Sequence, residues 1–389
     1  MVTAPAVLTP DDIAGMADTL REIRSPLVVR GAGTKDDWSL GEPEVVLSTK
    51  RLVGVVLHDP ADGVIVVRAG TSLANTQKVL ARHGQWLAID PPLVGDGATI
   101  GGIFSANDAG PRRLAYGTLR DMVLGVTLIT GDGFIAKTGG RVIKNVAGFD
   151  LARLYCGAFG TLGLVAELAF RVQPIRPNRR TIRVRCPATR VGPFLRAMRV
   201  AGVEPSAADW FGPSDATMVL RIEQRTERAA TAQAKSACEA ALSEGLGAEV
   251  LNESDGREVW QHGESILAGS PGDTTIRIVS RPSDLPQVAH GIFAACTEND
   301  TDVTLVSHAV LGVHTARLRG GRPGDAIAVV RAQMALLGGY VTTRRRGPDL
   351  GPEVPRWGEP PPGFAIMRRV KHELDPRGRC APGTFVGGI

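Results

Sequence analysis

The chain has 389 residues, of which 43% are hydrophobic and 22% charged, so it can form two or three domains and does not have a disordered composition. Its formal net charge of +5 is small and only 5% of its residues are aromatic, which argues against a nucleic-acid partner. The five cysteines are odd in number and form no CxxC pair, which argues against a disulfide framework, an iron–sulfur cluster and a structural zinc site.

The location of the chain is predicted from its apolar runs. The N-terminus has no basic start followed by an apolar stretch, so no signal peptide is expected. No apolar segment reaches the roughly 18 residues of a membrane span. We therefore expect a soluble, cytoplasmic protein.

Residues 25–173 are predicted to form short strands joined by glycine turns, with few helices. Two pairs of strands flank the turn signals Asp-Pro-Ala-Asp-Gly and Gly-Asp-Gly and are predicted hairpins. A helix is expected over residues 72–83, between an N-cap at Thr71 or Ser72 and Gly84. The predicted strands cover residues 27–30, 45–47, 53–57, 64–68, 123–130, 134–137 and 164–172.

Two boundaries divide the chain into three predicted domains, which cover residues 1–174, 175–345 and 346–389. Prolines at 174 and 177 and the basic stretch 176–183 mark the first boundary. The middle segment is a predicted α+β domain, with its clearest helix in the alanine-rich stretch 229–246. The last segment is a proline- and glycine-rich linker followed by a short helix over residues 364–374.

A first candidate binding loop, Arg30-Gly31-Ala32-Gly33-Thr34-Lys35, follows the strand at residues 27–30. A Rossmann unit would need an amphipathic helix directly after it, and residues 36–43 show no such pattern. A glycine loop between two strands can still bind phosphate through successive backbone N–H groups. An ordinary tight turn is the alternative interpretation.

Two further segments combine glycine with small side chains. Residues 91–117 include the compact apolar run Thr99-Ile100-Gly101-Gly102-Ile103-Phe104, whose buried backbone would need polar partners such as a phosphate or a flavin edge. The alternative is a mobile loop. Residues 139–163 lead through a short predicted helix to a glycine turn that enters the strand at residues 164–172.

These three segments resemble the FAD-binding domain of the vanillyl-alcohol-oxidase/para-cresol-methylhydroxylase (PCMH-type) superfamily. Within it they are most similar to the FAD-binding subunits of bacterial glycolate oxidases. The phrases GPRRLAYGTLRDMVLGV and GGRVIKNVAGFDLARLYCGAFGTLGLV carry most of the resemblance, which covers residues 25–174 and resumes at 364–383. It implies an α+β fold: a PCMH-type FAD-binding domain of two α+β subdomains, a second α+β substrate or cap domain, and a C-terminal segment that returns to the first domain.

The resemblance also implies where FAD would lie. The first loop would hold the pyrophosphate, the second would follow phosphate, ribitol and flavin, and the third would lie beside the adenine. Arg112, Tyr116 and Lys144 are the candidate catalytic residues. The implied cofactor-binding residues are Arg30, Gly31, Ala32, Gly33, Thr34, Lys35, Pro92, Thr99, Ile100, Gly101, Gly102, Ser105, Asn107, Gly110, Arg112, Tyr116, Gly117, Asp121, Lys144, Asn145, Gly148, Gly160, Thr161, Gly163, Leu164 and Val165.

Two departures from the family bear on FAD. Relatives with covalent flavin use a His beside the pyrophosphate loop or a Cys elsewhere, whereas this loop has Thr34 and Lys35 and no Cys lies near Pro91. Non-covalent FAD is therefore predicted. Relatives also read Asn-Pro-Gly near the C-terminus, where this chain has Ala381-Pro382-Gly383 and so loses a side-chain amide.

A metal site is the weaker interpretation of a pair of histidines. His308 and His314 would share one face of an extended strand, as metal ligands of some relatives do. The acidic residue between them is absent, so structural histidines are favoured and no metal is predicted. Arg112 and Arg113 would either hold a substrate carboxylate or pair with Asp108 or Asp121.

The resemblance implies a flavin subunit of a glycolate oxidase (glycolate dehydrogenase) complex, which oxidises glycolate or a similar 2-hydroxy acid to the oxo acid. The implied partners are a larger flavin subunit and an iron–sulfur subunit, through which alone the chain would reach the inner face of the plasma membrane. The first alternative is a stand-alone FAD-dependent oxidase or dehydrogenase of another 2-hydroxy acid, a lactone or an alditol. The second is a non-catalytic, flavin-containing assembly subunit.

Overall fold

The structure is a computed structural model that describes residues 5–38, 43–140, 150–213 and 216–389. Its strands are β1 (Ala6–Leu8), β2 (Leu27–Arg30), β3 (Val45–Ser48), β4 (Val55–Asp59), β5 (Val64–Arg68), β6 (Gln85–Trp86), β7 (Val123–Ile129), β8 (Ile135–Gly139), β9 (Leu164–Arg171), β10 (Gln173–Pro174), β11 (Asn178–Arg185), β12 (Ala207–Gly212), β13 (Thr217–Gln224), β14 (Ala248–Leu251), β15 (Thr274–Val279), β16 (Asp302–His308), β17 (Val313–Arg319) and β18 (Tyr340–Arg345). Its α-helices are α1 (Ile13–Glu22), α2 (Leu73–Ala81), α3 (Ile100–Ala106), α4 (Arg113–Tyr116), α5 (Leu119–Met122), α6 (Leu151–Tyr155), α7 (Ala188–Val200), α8 (Glu227–Ser243), α9 (Glu253–Ala268), α10 (Leu285–Glu298), α11 (Pro323–Leu336) and α12 (Phe364–Leu374).

Local sequence signals determine several of these elements as expected. Both predicted hairpins form, since β4 pairs antiparallel with β5 and β7 with β8. Ser72 caps α2 by accepting a hydrogen bond from the Asn75 N–H. Helix α12 has the predicted bounds. None of the described helices is both long and apolar enough to cross a membrane.

The chain divides into two compact units. The first comprises Met1–Ala109, Gly117–Ile175 and Glu359–Ile389, and the second comprises Gly110–Tyr116 and Arg176–Gly358. The short segment Gly110–Tyr116 thus groups with the second unit, although the sequence analysis included it in the first domain. The domain boundaries drawn from the sequence stay predictions.

The first unit contains a parallel and an antiparallel sheet. The parallel sheet has the order β1-β3-β2, and the antiparallel sheet has the order β4-β5-β9-β7-β8. Leu27 and Leu47 of the parallel sheet pack with Met16 and Leu20 of α1, and with Ile129 of β7. This shared core holds the glycine loop after β2 against the rest of the unit.

The C-terminal segment returns to the first unit, as the sequence analysis expected. The Leu27 N–H donates to the Arg379 carbonyl oxygen, and the Ala381 N–H donates to the Leu27 carbonyl oxygen. The Lys371 ammonium group donates to the backbone carbonyl oxygens of Thr161 (2.6 Å) and Cys380 (2.8 Å). The segment is therefore hydrogen-bonded to β2, the strand that leads into the first glycine loop, and to the third glycine segment.

The second unit is built on one antiparallel sheet of eight strands, in the order β14-β11-β13-β12-β16-β17-β15-β18. Alternate residues of each strand face opposite sides. One face carries Ile182, Leu220 and Ile276, which pack in a core that includes residues of α7, α8, α10 and α11. Helix α9 lies on the other face, where its Trp260 packs with Ala207 and Val219.

Candidate functional site

A cleft in the first unit brings together parts of all three glycine-rich segments. It also takes in two residues of the C-terminal segment, Ala381 and Thr384. Segments far apart in sequence therefore meet at one place. The predicted cofactor-binding residues that line it are Arg30, Gly31, Ala32, Gly33, Thr34, Lys35, Thr99, Gly101, Gly102, Ser105, Gly160, Gly163 and Val165.

The first loop has the strand–loop–strand form that the sequence predicted. Gly33 has a φ of +81°, a conformation that glycine adopts readily. One turn of 3₁₀ helix, Asp36–Trp38, follows, and the next described element is β3. Within the described residues, the backbone N–H groups of Ala32, Gly33 and Thr34 have no protein acceptor. They are thus available to an oxyanion.

Several walls of the cleft tolerate only glycine. A Cβ built on Gly31 would overlap the Thr99 hydroxyl, and one on Gly101 would lie 2.7 Å from the Ala69 Cβ. A Cβ on Gly160, by contrast, would meet nothing within 4 Å, so the space beside it is open. Tightly apposed backbone beside an open cradle suits a flat, extended dinucleotide, and these residues therefore fit FAD.

Positive charge is fixed at the first loop. The Lys35 Nζ lies 3.4 Å from the Asp108 Oδ2, and the two side chains are 13% and 0% exposed. This ion pair connects the first glycine segment to the second. The Arg30 Nε lies 3.1 Å from the Asp36 Oδ2. Burial and the neighbouring Asp37 raise the pKa of Asp36, although Arg30 acts to lower it.

Other predicted cofactor residues in the first unit support the cleft from outside its lining. Ile100 and Leu164 are buried in the core. The Thr161 hydroxyl donates to the Ala158 carbonyl oxygen. Asn107 ends α3 with a φ of +44°. Pro92 and Gly117 are also absent from the lining.

Asp121 has a clear local structural role. Its Oδ2 accepts from the Thr118 N–H at 2.8 Å and completes a capping box at the start of α5. Lys144, Asn145 and Gly148 lie outside the described residues. The roles that the family resemblance implies for these residues, and for those that line or support the cleft, stay predictions.

Gly110, Arg112 and Tyr116 belong to the second unit. The Arg112 guanidinium donates from Nε (3.2 Å) and NH2 (2.6 Å) to the buried carboxylate of Glu223. Glu223 is thus a partner of Arg112 that the local carboxylates Asp108 and Asp121 did not predict. Burial raises the pKa of the Tyr116 phenol, and the Glu223 carboxylate raises it further.

The expectation that His308 and His314 share one strand face was wrong. A turn after His308 ends β16, so His314 lies on the next strand, where it pairs with Ser307. The His308 Nδ1 lies 2.7 Å from the Asp209 Oδ1, and both His314 ring nitrogens bond serine hydroxyls, of Ser307 and Ser280. Burial and the neighbouring His308 lower the pKa of His314 to about 4. These contacts are those of structural histidines.

Ten residues of the cleft lining are absent from the predicted cofactor-binding residues. Phe159, with a φ of +54°, precedes Gly160 in the third segment, where its position inside a GAFG run could have drawn attention. The others come from neighbouring elements and carry no local signal. The unpredicted lining residues include Trp38, Thr49, Ala69, Phe159, Ala381 and Thr384.

The buried cysteines of the first unit are poor nucleophiles. Burial raises the pKa of the Cys156 and Cys380 thiols to about 12. Both thiols are therefore protonated near neutral pH. Neither has the thiolate that attachment to a flavin would require.

Comparison with known families identifies both parts of the chain. The family described as FAD binding domain matches residues 4–139, and the family described as FAD linked oxidases, C-terminal domain, matches residues 195–320 and 356–385. The chain is therefore a flavoprotein with a PCMH-type FAD-binding domain, and FAD is its cofactor. The second match shows that it also carries the C-terminal domain of FAD-linked oxidases.

Individual relatives are similar over part of their length. Glycolate oxidase subunit GlcE of Escherichia coli (strain K12) is 42% identical over 157 residues, which are 40% of this chain and 44% of the relative. Glycolate oxidase subunit GlcD of Bacillus subtilis (strain 168) is 32% identical over 46% of this chain and 38% of its own. D-lactate dehydrogenase of Archaeoglobus fulgidus is 31% identical over 42% of this chain and 37% of its own. The matched region thus spans less than half of each of these relatives.

A solved structure confirms the fold over almost the whole chain. An alkyldihydroxyacetonephosphate synthase superimposes with a TM-score of 0.72, at 13% identity, over 97% of this chain and 76% of the synthase. At this identity the likeness concerns the fold alone. It supports the α+β architecture of both units.

Proposed function

We propose that the chain is the FAD-binding subunit of a complex that oxidises glycolate, or a similar 2-hydroxy acid, to the corresponding oxo acid. The observation that carries this proposal is the meeting of three glycine-rich segments and the C-terminal return at one cleft of the first unit. The similarity to a glycolate oxidase subunit over 40% of this chain supports the choice of glycolate.

The chain's own residues would hold the cofactor through backbone and one cation. The free N–H groups of Ala32, Gly33 and Thr34, with the Lys35 ammonium, would bind the pyrophosphate. The glycine backbone around Gly101 and Gly160 would admit the rest of the dinucleotide. Bound FAD would supply a two-electron acceptor for the C–H bond of the hydroxy acid.

Attachment of FAD is proposed to be non-covalent. The protonated thiols of Cys156 and Cys380 do not offer a nucleophile. The first loop presents Thr34 and Lys35 where relatives with covalent flavin have a histidine. The family resemblance is the basis of that comparison.

Arg112, Tyr116 and Lys144 remain the proposed catalytic residues. Because the Glu223 carboxylate accepts hydrogen bonds from Arg112, it would orient the guanidinium group that is proposed to hold a substrate carboxylate. Lys144 lies outside the described residues, so its proposed role rests on the family resemblance.

The complex would supply the path for electrons beyond the flavin. We propose a larger flavin subunit and an iron–sulfur subunit as partners, with any membrane attachment through them. The chain is similar to two different glycolate oxidase subunits, GlcE and GlcD. This similarity supports the proposal that the chain is also a subunit of such a complex.

D-lactate is the second candidate substrate, because a D-lactate dehydrogenase is 31% identical over 42% of this chain.

The non-catalytic assembly role is favoured by a different observation. Both ring nitrogens of His314 form hydrogen bonds with serine hydroxyls. Neither nitrogen is therefore available to coordinate a metal ion that would bind the substrate. If the chain has only this assembly role, its flavin would stay oxidised with every hydroxy acid.

An anaerobic titration of the purified, flavin-loaded chain with glycolate and D-lactate separates these candidates. Bleaching of the flavin by glycolate in the chain, or only after the partner subunits are co-purified, supports the proposal. Bleaching by D-lactate alone would replace glycolate as the substrate. Flavin that remains oxidised in the complete complex, with both acids, would contradict catalysis and leave the assembly role.

A further inference from the structure

The second unit contains a groove of which the proposed function uses only Arg112. It has a volume of about 660 Å³ and is lined by residues of the second unit only. Small-molecule sites commonly have volumes of about 300–1,000 Å³. We call it the arginine groove, after its lining residues Arg112, Arg179, Arg180, Arg221 and Arg257.

The arginine groove has an excess of positive charge. Two carboxylates, Glu227 and Glu253, belong to its lining, and Glu223 lies behind it. Arg180 and Glu227 pair with each other. The other four arginines and the carboxylates of Glu223 and Glu253 leave two positive charges over. Guanidinium groups repel one another, and an anion between them removes that cost.

The cations are held in place from behind. Glu223, whose side chain is 2% exposed, bonds Arg112 at 2.6 Å and lies 3.4 Å from Arg179. Strand register places Arg179 opposite Glu223 and Thr181 opposite Arg221, so all four belong to one face of the sheet. The buried carboxylate therefore orients two arginines before any ligand arrives.

Helix α9 supplies the opposite side of the groove. The Trp260 Nε1–H donates to the Thr181 hydroxyl at 3.2 Å, and the Arg221 guanidinium lies 4.2 Å from the centre of the Trp260 ring. A Cβ on Gly256 would lie 3.0 Å from the Thr181 hydroxyl, so glycine permits the close approach of α9. Arg221 is thereby stacked on a fixed aromatic platform.

We propose that the arginine groove binds a small dianion, with its two negative charges on carboxylate or phosphate oxygens. The charge excess matches two negative charges, and the planar guanidinium groups bind either kind of oxyanion in a bidentate manner. The groove shares only Arg112 with the residues proposed for FAD and hydroxy-acid oxidation, and the test below uses Arg179 and Arg257, which have no part in that function.

Isothermal titration calorimetry of the full chain tests the proposal, with succinate and inorganic phosphate as the two probes. Acetate at matched ionic strength serves as the monoanion control. At least one dianion should bind, and Arg179→Gln and Arg257→Gln should each weaken it about tenfold, the loss expected for one charged hydrogen bond. Which dianion binds distinguishes a dicarboxylate from a phosphate ligand.

The matched control is Arg183→Gln, which also removes an arginine from β11. Arg183 pairs with Glu249 and does not line the groove, so its loss should leave binding unchanged. Failure of both dianions to bind would overturn the proposal. So would equal binding of acetate, or binding that survives both groove substitutions. Binding only of an acidic peptide would also overturn it, in favour of a protein partner.

Discussion

The clefts of the two units are lined by different kinds of chemical group. The cleft of the first unit is made from backbone and small residues, among them Gly31, Gly101 and Gly163, whereas the groove of the second unit is made from arginine side chains. A backbone wall selects by shape and tolerates no extra methyl group. A guanidinium wall selects by charge and responds to neutral substitutions. Steric changes should therefore damage the first unit most, and charge changes the second.

Gly163→Ala should cause the largest loss. Gly163 has a φ of +124°, and an added Cβ would overlap the Ile129 carbonyl oxygen. Backbone strain and overpacking contribute together about 3–5 kcal/mol of lost unfolding free energy. Chemical denaturation with flavin absorbance as the second readout measures both stability and FAD retention.

Gly160→Ala is the matched control for that substitution. Gly160 also has a positive φ, +76°, but its Cβ would meet nothing within 4 Å. Only the conformational cost of about 1 kcal/mol is then expected. Equal losses for the two variants would show that the close backbone approach at Gly163 is unimportant.

Lys35→Met tests the ion pair between Lys35 and Asp108 at the first cleft. The substitution leaves the buried Asp108 carboxylate without the ammonium group 3.4 Å away. A loss of about 3 kcal/mol in unfolding free energy is expected. Flavin binding, measured by fluorescence titration, should weaken about tenfold, because a charged contact to the pyrophosphate is lost.

The double variant Lys35→Met/Asp108→Leu separates these two effects. Removing both charges should restore most of the stability but not the affinity for FAD. Arg51→Met, which removes an exposed partner of Asp11, is the control and should change neither quantity. Recovery of full FAD affinity in the double variant would show that Lys35 does not contact the cofactor.

In the second unit, Arg112→Gln should lower the unfolding free energy by about 2 kcal/mol at neutral pH. Burial alone would raise the pKa of Glu223, but Arg112, Arg221 and Arg179 outweigh it and hold the pKa below the usual 4.5. The native ion pair thus stabilises the fold above pH 4.5, and this stabilisation is lost as the pH falls toward the lowered pKa. The variant's deficit should accordingly shrink in acid.

Denaturation of wild type and variant on both sides of pH 4.5 checks this dependence. The comparison with Arg183→Gln, an exposed arginine paired with Glu249, controls for the general effect of one lost charge. A deficit that is independent of pH would mean that Arg112 contributes through packing and not through Glu223.

Ala381→Asn should have the smallest effect, and a favourable one. Ala381 has a φ of +43°, in the left-handed region that asparagine tolerates better than alanine. Replacing it should add up to about 1 kcal/mol of stability and return a side-chain amide to the cleft. Thermal unfolding with and without FAD measures the gain, and a lower melting temperature would contradict it.

The sequence predicted the first unit better than the second because its signals are local. Strand β2, the glycine loop and strand β3 all lie within residues 27–48, and hairpin turns lie between the strands they join. The Arg112–Glu223 pair, by contrast, joins residues 111 apart, and no local pattern predicts such a partner. The turn between His308 and His314 was missed because a glycine within an apolar run gives a weak turn signal.

The cofactor cleft shows the same limit. Glycine-rich phrases predicted thirteen of its residues, but Thr49 and Ala69 enter it only because β3 and β5 bring them there. Such residues carry no signal in their own neighbourhoods. Family resemblance, in turn, pointed to Arg112 and Tyr116, which the fold assigns to the second unit.

The central claim is that backbone amides of three separate segments hold FAD without a covalent bond. Acid precipitation of the purified, flavin-loaded chain tests it most directly, by measuring flavin absorbance in the supernatant and in the pellet. One FAD per chain should be released into the supernatant. Flavin that stays with the precipitated protein, or a chain that takes up no FAD when it is offered in excess, would contradict the account.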